Sequence, residues 1–225
     1  KYVQGESLDF YSPRVSLKDR LAILQKICDA VSFAHSRGVI HRDLKPQNVM
    51  VGTFGEVQVM DWGLAKLVRT PVAKPPGENR HRVAFQTDAG TVLGTPEYMP
   101  PEQERGSTTI LDERSDIYAL GAILYYLLTL APPSRNIRPR DQNPAVPKRL
   151  EAVCRKAMSE MPEARYDSAQ ALSRDISAYL NRMPMVAYRE NVFEKIGRWV
   201  SRNSFVALLV LAYLVMRAIL YFIFR

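Results

Sequence analysis

His41-Arg42-Asp43-Leu44-Lys45-Pro46-Gln47-Asn48 brings a carboxylate, an ammonium and a carboxamide together within eight residues. Phosphoryl transfer needs these three groups at one place. Asp43 can accept the proton of an attacking hydroxyl, Lys45 can steady charge on the moving phosphoryl group, and Asn48 can hold a metal ion that bridges phosphates. A polar surface turn could carry the same letters, so the rest of the chain has to decide between the two.

The bulk composition narrows the field. The 225 residues are enough for one ordinary domain and an appendage. With 47% hydrophobic and 24% charged residues the chain is globular rather than disordered. A net charge of +8 raises nucleic acid as a partner, but no interleaving of aromatic and basic residues and no nucleic-acid motif accompanies it, so none is expected. Cys28 and Cys154 lie far apart in apolar helical patterns, which suggests buried thiols rather than a metal site.

The opening stretch resembles the protein-kinase catalytic loop H-R-D-x-x-x-x-N at every fixed position. Asp61-Trp62-Gly63 lies thirteen positions beyond Asn48, directly after a β-type run, and resembles the metal-binding D-F-G triplet with tryptophan in place of phenylalanine. Gly94-Thr95-Pro96-Glu97-Tyr98-Met99-Pro100-Pro101-Glu102 resembles the substrate-side loop G-T-x-x-Y-x-x-P-E. Over Lys1 to about Leu180 the chain is similar to the large helical lobe of bacterial membrane-anchored serine/threonine kinases. No glycine-rich loop and no strand lysine precede Lys1, so the small lobe is expected to be absent.

The resemblance implies a set of roles. Asp43, Lys45, Asn48 and Asp61 would be catalytic, with Asn48 and Asp61 as ligands of Mg2+ or Mn2+. ATP would touch Tyr2 and Val3 in the hinge-like start, together with Met50, Lys45, Asn48 and Asp61. Thr95, paired with Lys45, would select serine and threonine substrates. His41 would pack against Trp62 as a structural residue, Trp62 would form an apolar plug beneath the site, and Gly63 would free the backbone to turn. Arg42 would pair with a phosphate on the basic, proline-rich stretch from Leu64 to Thr91. Thr87 and Thr91 are the candidate acceptors, Thr91 preferred. Glu102 would form a buried ion pair with Arg165. Asp116 would cap a buried apolar helix that runs to about Leu130 and would hold the catalytic-loop backbone.

Periodicity supplies the other elements. Ser16 caps a helix, with Asp19 at its third position. Leu24, Ile27, Cys28, Val31 and Ala34 line the inner face, and Gly38 closes the helix. Val49–Val51 and Val57–Met60 form a hairpin around Gly52 and Gly55. Gly52-Thr53-Phe54-Gly55 imitates a phosphate-covering glycine loop but lies on the wrong side of the catalytic loop, so it is expected to be a turn. Between Leu130 and Pro147 a helix usual in the family is expected to be shortened or absent. Helices follow at Lys148–Ser159 and Ser168–Leu180.

From Asn191 onward Val192, Phe193, Ile196, Trp199 and Val200 share one helical face, opposite Lys195, Arg198 and Arg202, as in a helix lying among lipid headgroups. Phe205 to Phe224 is then long enough to cross about 30 Å of hydrocarbon at 1.5 Å per residue. Its only charge, Arg217, lies off-centre. Arg189, Lys195, Arg198 and Arg202 before this run place the preceding domain in the cytoplasm.

The expectation is therefore a mainly α fold: a kinase-like large lobe with short β-hairpins over 1–182, a basic juxtamembrane segment over 183–203 and a single membrane span over 204–225. Such a chain would move the γ-phosphoryl group of Mg-ATP to protein serine or threonine hydroxyls at the inner membrane. A homodimer phosphorylating in trans is left open. The piece on its own is not expected to clamp ATP, and the alternative is a membrane-tethered scaffold without catalysis.

Overall fold

The computed structural model describes residues 5–67, 96–105, 112–134 and 137–223. It is mainly helical, and its short strands gather around the catalytic-loop stretch. The first long helix, α2 (Leu17–Ser36), starts where Ser16 Oγ accepts the Asp19 N–H at 3.2 Å. At its end Gly38, with φ +70°, donates its N–H to the His35 carbonyl at 2.8 Å. Leu24, Ile27, Cys28 and Val31 are fully buried on the inner face.

The second long helix, α4 (Glu113–Thr129), is the centre of the core, and nearly every residue of it is buried. Asp112, not Asp116, is its N-cap, accepting the Arg114 N–H at 2.8 Å. Asp116 sits one turn further in, where its oxygens point away from the helix and towards the catalytic loop. Gly121 lets α6 (Lys148–Ala157) approach: a Cβ at this position would lie 2.7 Å from the Ala157 Cβ. Helix α7 (Ala169–Leu180) is capped by Ser168, whose Oγ accepts the Ala171 N–H at 3.1 Å, and packs on α2 and α6.

The helix expected to be shortened or absent is reduced to four residues, α5 (Pro139–Gln142). Three other short elements complete the order: α1 (Leu8–Tyr11), α3 (Pro101–Glu104) and a two-residue strand β1 (Glu6–Ser7).

Strand β2 (Val39–Ile40) leads into the catalytic loop. Strands β3 (Val49–Val51) and β4 (Val57–Val59) form the expected hairpin, with Gly52 N–H on the Glu56 carbonyl and Gly55 at φ +78° in the turn. There is more pairing than the sequence suggests, and it forms two separate sheets. β1 adds antiparallel to β3, and β5 (Lys66–Leu67) pairs antiparallel with β2. Both additions are two residues long, too short for alternation to show.

Helix α8 (Val192–Arg202) begins with a capping box in which Asn191 and Glu194 bind each other's backbone N–H. Helix α9 (Ser204–Ile223) follows. Over Ser204–Tyr221 it is long and apolar enough to cross a membrane, and none of that length is buried in the fold.

Candidate active site

The site is built on a backbone bend. Arg42 lies in the left-handed region at φ 68°, which costs a non-glycine residue of order 1–3 kcal/mol unless its surroundings hold it. Asp116 does so. Its Oδ1 accepts the Arg42 N–H at 2.9 Å and its Oδ2 the His41 N–H at 2.8 Å. Burial pulls the Arg42 guanidinium pKa down from its ordinary value, and the Asp116 charge opposes that shift.

The bend delivers Asp43 between one ammonium and one side-chain amide. Lys45 Nζ donates to Asp43 Oδ2 at 2.9 Å, and Asn48 Nδ2 donates to the same oxygen at 3.0 Å and to the Asp43 carbonyl at 2.7 Å. Both Asn48 side-chain bonds use its nitrogen, so its amide oxygen is left for a ligand. Asp43 is 9% exposed, reachable by a hydroxyl yet shielded from bulk water.

His41 is spent on structure. Its Nε2 donates to the Met60 carbonyl at 2.9 Å and its Nδ1 accepts the Asp43 N–H at 3.3 Å, so neither ring nitrogen is free for proton transfer. Its ring lies 4.5 Å from that of Trp62, centroid to centroid. Trp62 departs from the expected buried plug, being 37% exposed, with its indole N–H on the Val59 carbonyl at 3.0 Å.

The left-handed residue of the D-W-G triplet is Asp61, at φ 59° and ψ 62°, and not Gly63. Gly63 matters for space instead. A Cβ there would stand 3.2 Å from Asp61 Oδ1, against the carboxylate. The Met60 N–H donates to the Asn48 carbonyl at 2.7 Å, so Asp61 emerges at the end of the hairpin beside Asn48. An exposed carboxylate and one amide oxygen are hard donors in small number. They fit magnesium, which keeps waters and phosphate oxygens in its shell, and no cluster of three or more His, Cys, Asp or Glu exists among the described residues.

Away from the loop, Arg165 forks onto Glu102 at 2.7 and 2.8 Å and also donates to the carbonyls of Ser159, Arg114 and Glu160. Burial pushes the Glu102 carboxyl up. Hydrogen bonds from Arg165, its own backbone and Ser115, with the Arg165 charge, outweigh that and leave it below the ordinary carboxylate range. Met50 is half-buried on β3, opposite Ser7 of β1. Tyr2, Val3, Thr87, Thr91 and Thr95 lie outside the described residues.

Two contributors are absent from the sequence reading. His35 Nε2 meets Asp116 Oδ2 at 2.8 Å, and Gln103 Nε2 donates to the Arg42 carbonyl at 3.0 Å. His35 did carry a signal, since it lies four residues after Val31 on the buried face of α2. Gln103 carried none.

The protein kinase domain matches residues 1–186. The chain belongs to the protein kinase family. Its relatives are bacterial kinases of the serine/threonine type. Serine/threonine-protein kinase PknD of Chlamydia abortus is 40% identical over 185 residues, 73% of this chain and 19% of that protein. PknD of Chlamydia trachomatis is 37% identical over 194 residues, 76% of this chain and 21% of that protein. PknD of Protochlamydia amoebophila is 38% identical over 197 residues, covering 78% and 20%. This kinase chain therefore spans about a fifth of the length of these relatives.

Proposed function

We propose that residues 1–182 supply the large catalytic lobe of a serine/threonine kinase that phosphorylates protein hydroxyls. The observation carrying this is the Asp43 carboxylate, held by Lys45 at 2.9 Å and Asn48 at 3.0 Å on a loop bent by Asp116. Bound Mg-ATP would supply the γ-phosphoryl group and the charge that makes its transfer feasible. Asp43 takes the proton of the incoming serine or threonine hydroxyl. Lys45, already beside that carboxylate, meets the charge on the transferred group as the hydroxyl attacks. The Asn48 amide oxygen and the Asp61 carboxylate would hold the metal, and Thr95, with Lys45, would set the hydroxyl class. Arg42 is poised to take a phosphate on Thr87 or Thr91.

We further propose that residues 204–225 cross the inner membrane, with the basic segment 183–203 on its cytoplasmic side. Support comes from the unburied apolar length of α9 and from α8, whose Val192, Ile196, Trp199 and Val200 are exposed along one face.

The test is incubation of the natural gene product with radiolabelled ATP, magnesium and mixed protein substrates. Phosphoserine and phosphothreonine are expected after hydrolysis, and the activity should sediment with membranes. Phosphotyrosine alone would overturn the serine/threonine assignment, and no label from folded protein would replace this proposal with that of a non-catalytic scaffold.

A further inference from the structure

Asp175 of α7 is a buried carboxylate, 3% exposed, for which phosphoryl transfer has no use. Its oxygens take three donors. The Val186 N–H reaches Oδ1 at 2.8 Å, and the Ala187 N–H and the Tyr166 hydroxyl both reach Oδ2 at 2.9 Å. Two of the three belong to the linker between α7 and α8. A second arm grips the same linker: Arg149 of α6 donates to the Met183 carbonyl and faces Glu190 at 3.6 Å. The Tyr188 hydroxyl then donates to Glu194 at 2.8 Å, joining the linker to the first turn of α8.

The third donor leads the other way. Tyr166 is bonded in sequence to Arg165, whose guanidinium holds Glu102. Glu102 precedes Gln103, whose amide holds the Arg42 carbonyl at 3.0 Å. Hydrogen bonds and peptide bonds thus run without a gap from the linker, through Asp175, Tyr166–Arg165 and Glu102–Gln103, to the bend of the catalytic loop.

We propose that Asp175 is a latch, and that docking of residues 183–190 on it positions the substrate-side and catalytic loops. The latch has two states because a buried carboxylate does not tolerate partial loss of its donors. With the linker released, Asp175 keeps the Tyr166 hydroxyl as its one donor of three, and its rehydration weakens the hold on the turn that carries Tyr166 and Arg165. The juxtamembrane segment is thereby sensed at the active site. The proposal concerns hydrogen bonds within the fold and stands apart from the phosphoryl-transfer proposal, because its readout needs no activity.

The experiment is amide hydrogen exchange on the natural gene product in lipid nanodiscs, comparing wild type with Asp175→Asn. Peptides covering 183–190 should exchange about tenfold faster, and those covering 41–48 and 100–105 about threefold faster, with α2 and α4 unchanged. A faster linker with both loops at wild-type rates overturns the coupling. An unchanged linker overturns the latch, and acceleration throughout, α2 and α4 included, counts as global loosening and overturns it too. If Asp175→Asn does not fold, Ala187→Pro decides by the same criteria, since it removes one donor and leaves Asp175 in place.

Discussion

Asp116 Oδ1 accepts the N–H of Arg42 at 2.9 Å, and Arg42 sits at φ 68°. The pairing explains why a buried carboxylate stands in the first turn of an otherwise apolar helix. It offsets the strain of the bend that places Asp43. Asp116→Ala would leave the His41 and Arg42 amides and His35 without their acceptor, at about 1–3 kcal/mol for each stranded donor. We expect a loss of about 3 kcal/mol in urea unfolding and about a hundredfold in phosphoryl transfer, because the loop shifts. Full activity with only the stability loss would reduce Asp116 to a packing residue.

The Glu102–Arg165 pair carries a pH signature. The Glu102 pKa lies below its ordinary value of 4.5, so the stability it contributes is present above that value and lost as pH falls through the lowered one. The stability difference between wild type and Glu102→Gln should therefore stay constant from neutral pH down to about 5 and shrink in stronger acid. Guanidinium midpoints taken across this range read it directly. Arg165 is fully buried, so Arg165→Met should cost about 3–5 kcal/mol at pH 7 by stranding the carboxylate.

Gly121 is the contact point of α4 and α6. A Cβ there would meet the Ala157 Cβ at 2.7 Å and the Met158 Cγ at 2.9 Å. Gly121→Ala should destabilise by about 1–3 kcal/mol despite the better helix propensity of alanine. Thermal unfolding beside Gly121→Ala/Ala157→Gly should show partial recovery in the double variant, since the clash partner is removed.

Burial pushes the thiols of Cys28 and Cys154 well above their ordinary pKa, helped by Asp29 and Glu151 respectively. Both should resist a thiol reagent at pH 8 in the folded protein and react together on unfolding. Fast labelling of either in the native state would contradict their placement in the core.

The parts of the fold visible in the sequence were those written as local chemistry. Ser16 and Ser168 announce helix starts because a hydroxyl followed by a free N–H has one use there. The glycines at 52 and 55 announce the hairpin turn. The spacing of Asp43, Lys45 and Asn48 announces their contact because all three lie in one short loop. What escaped lay outside such local patterns. Asp116 does hold the catalytic-loop backbone as the resemblance implied, at His41 and Arg42 more than seventy residues away, but the cap expected of it falls to Asp112. Gly63 looked like the flexible member of its triplet, but the left-handed strain falls on Asp61 and the glycine spares room for that carboxylate. Gln103 and Asp175 have ordinary helical surroundings in sequence, and only the assembled fold shows what they hold.

The measurement bearing most directly on the central claim is the initial rate of phosphoryl transfer to a serine/threonine substrate by the natural gene product and its Asp43→Asn variant. The substitution keeps the side chain's shape and removes its capacity to take a proton. The account predicts a fall of about 10²–10⁴-fold with an unfolding midpoint close to wild type. Transfer by the folded variant within about twofold of wild type would contradict Asp43 as the proton acceptor and the site built around it.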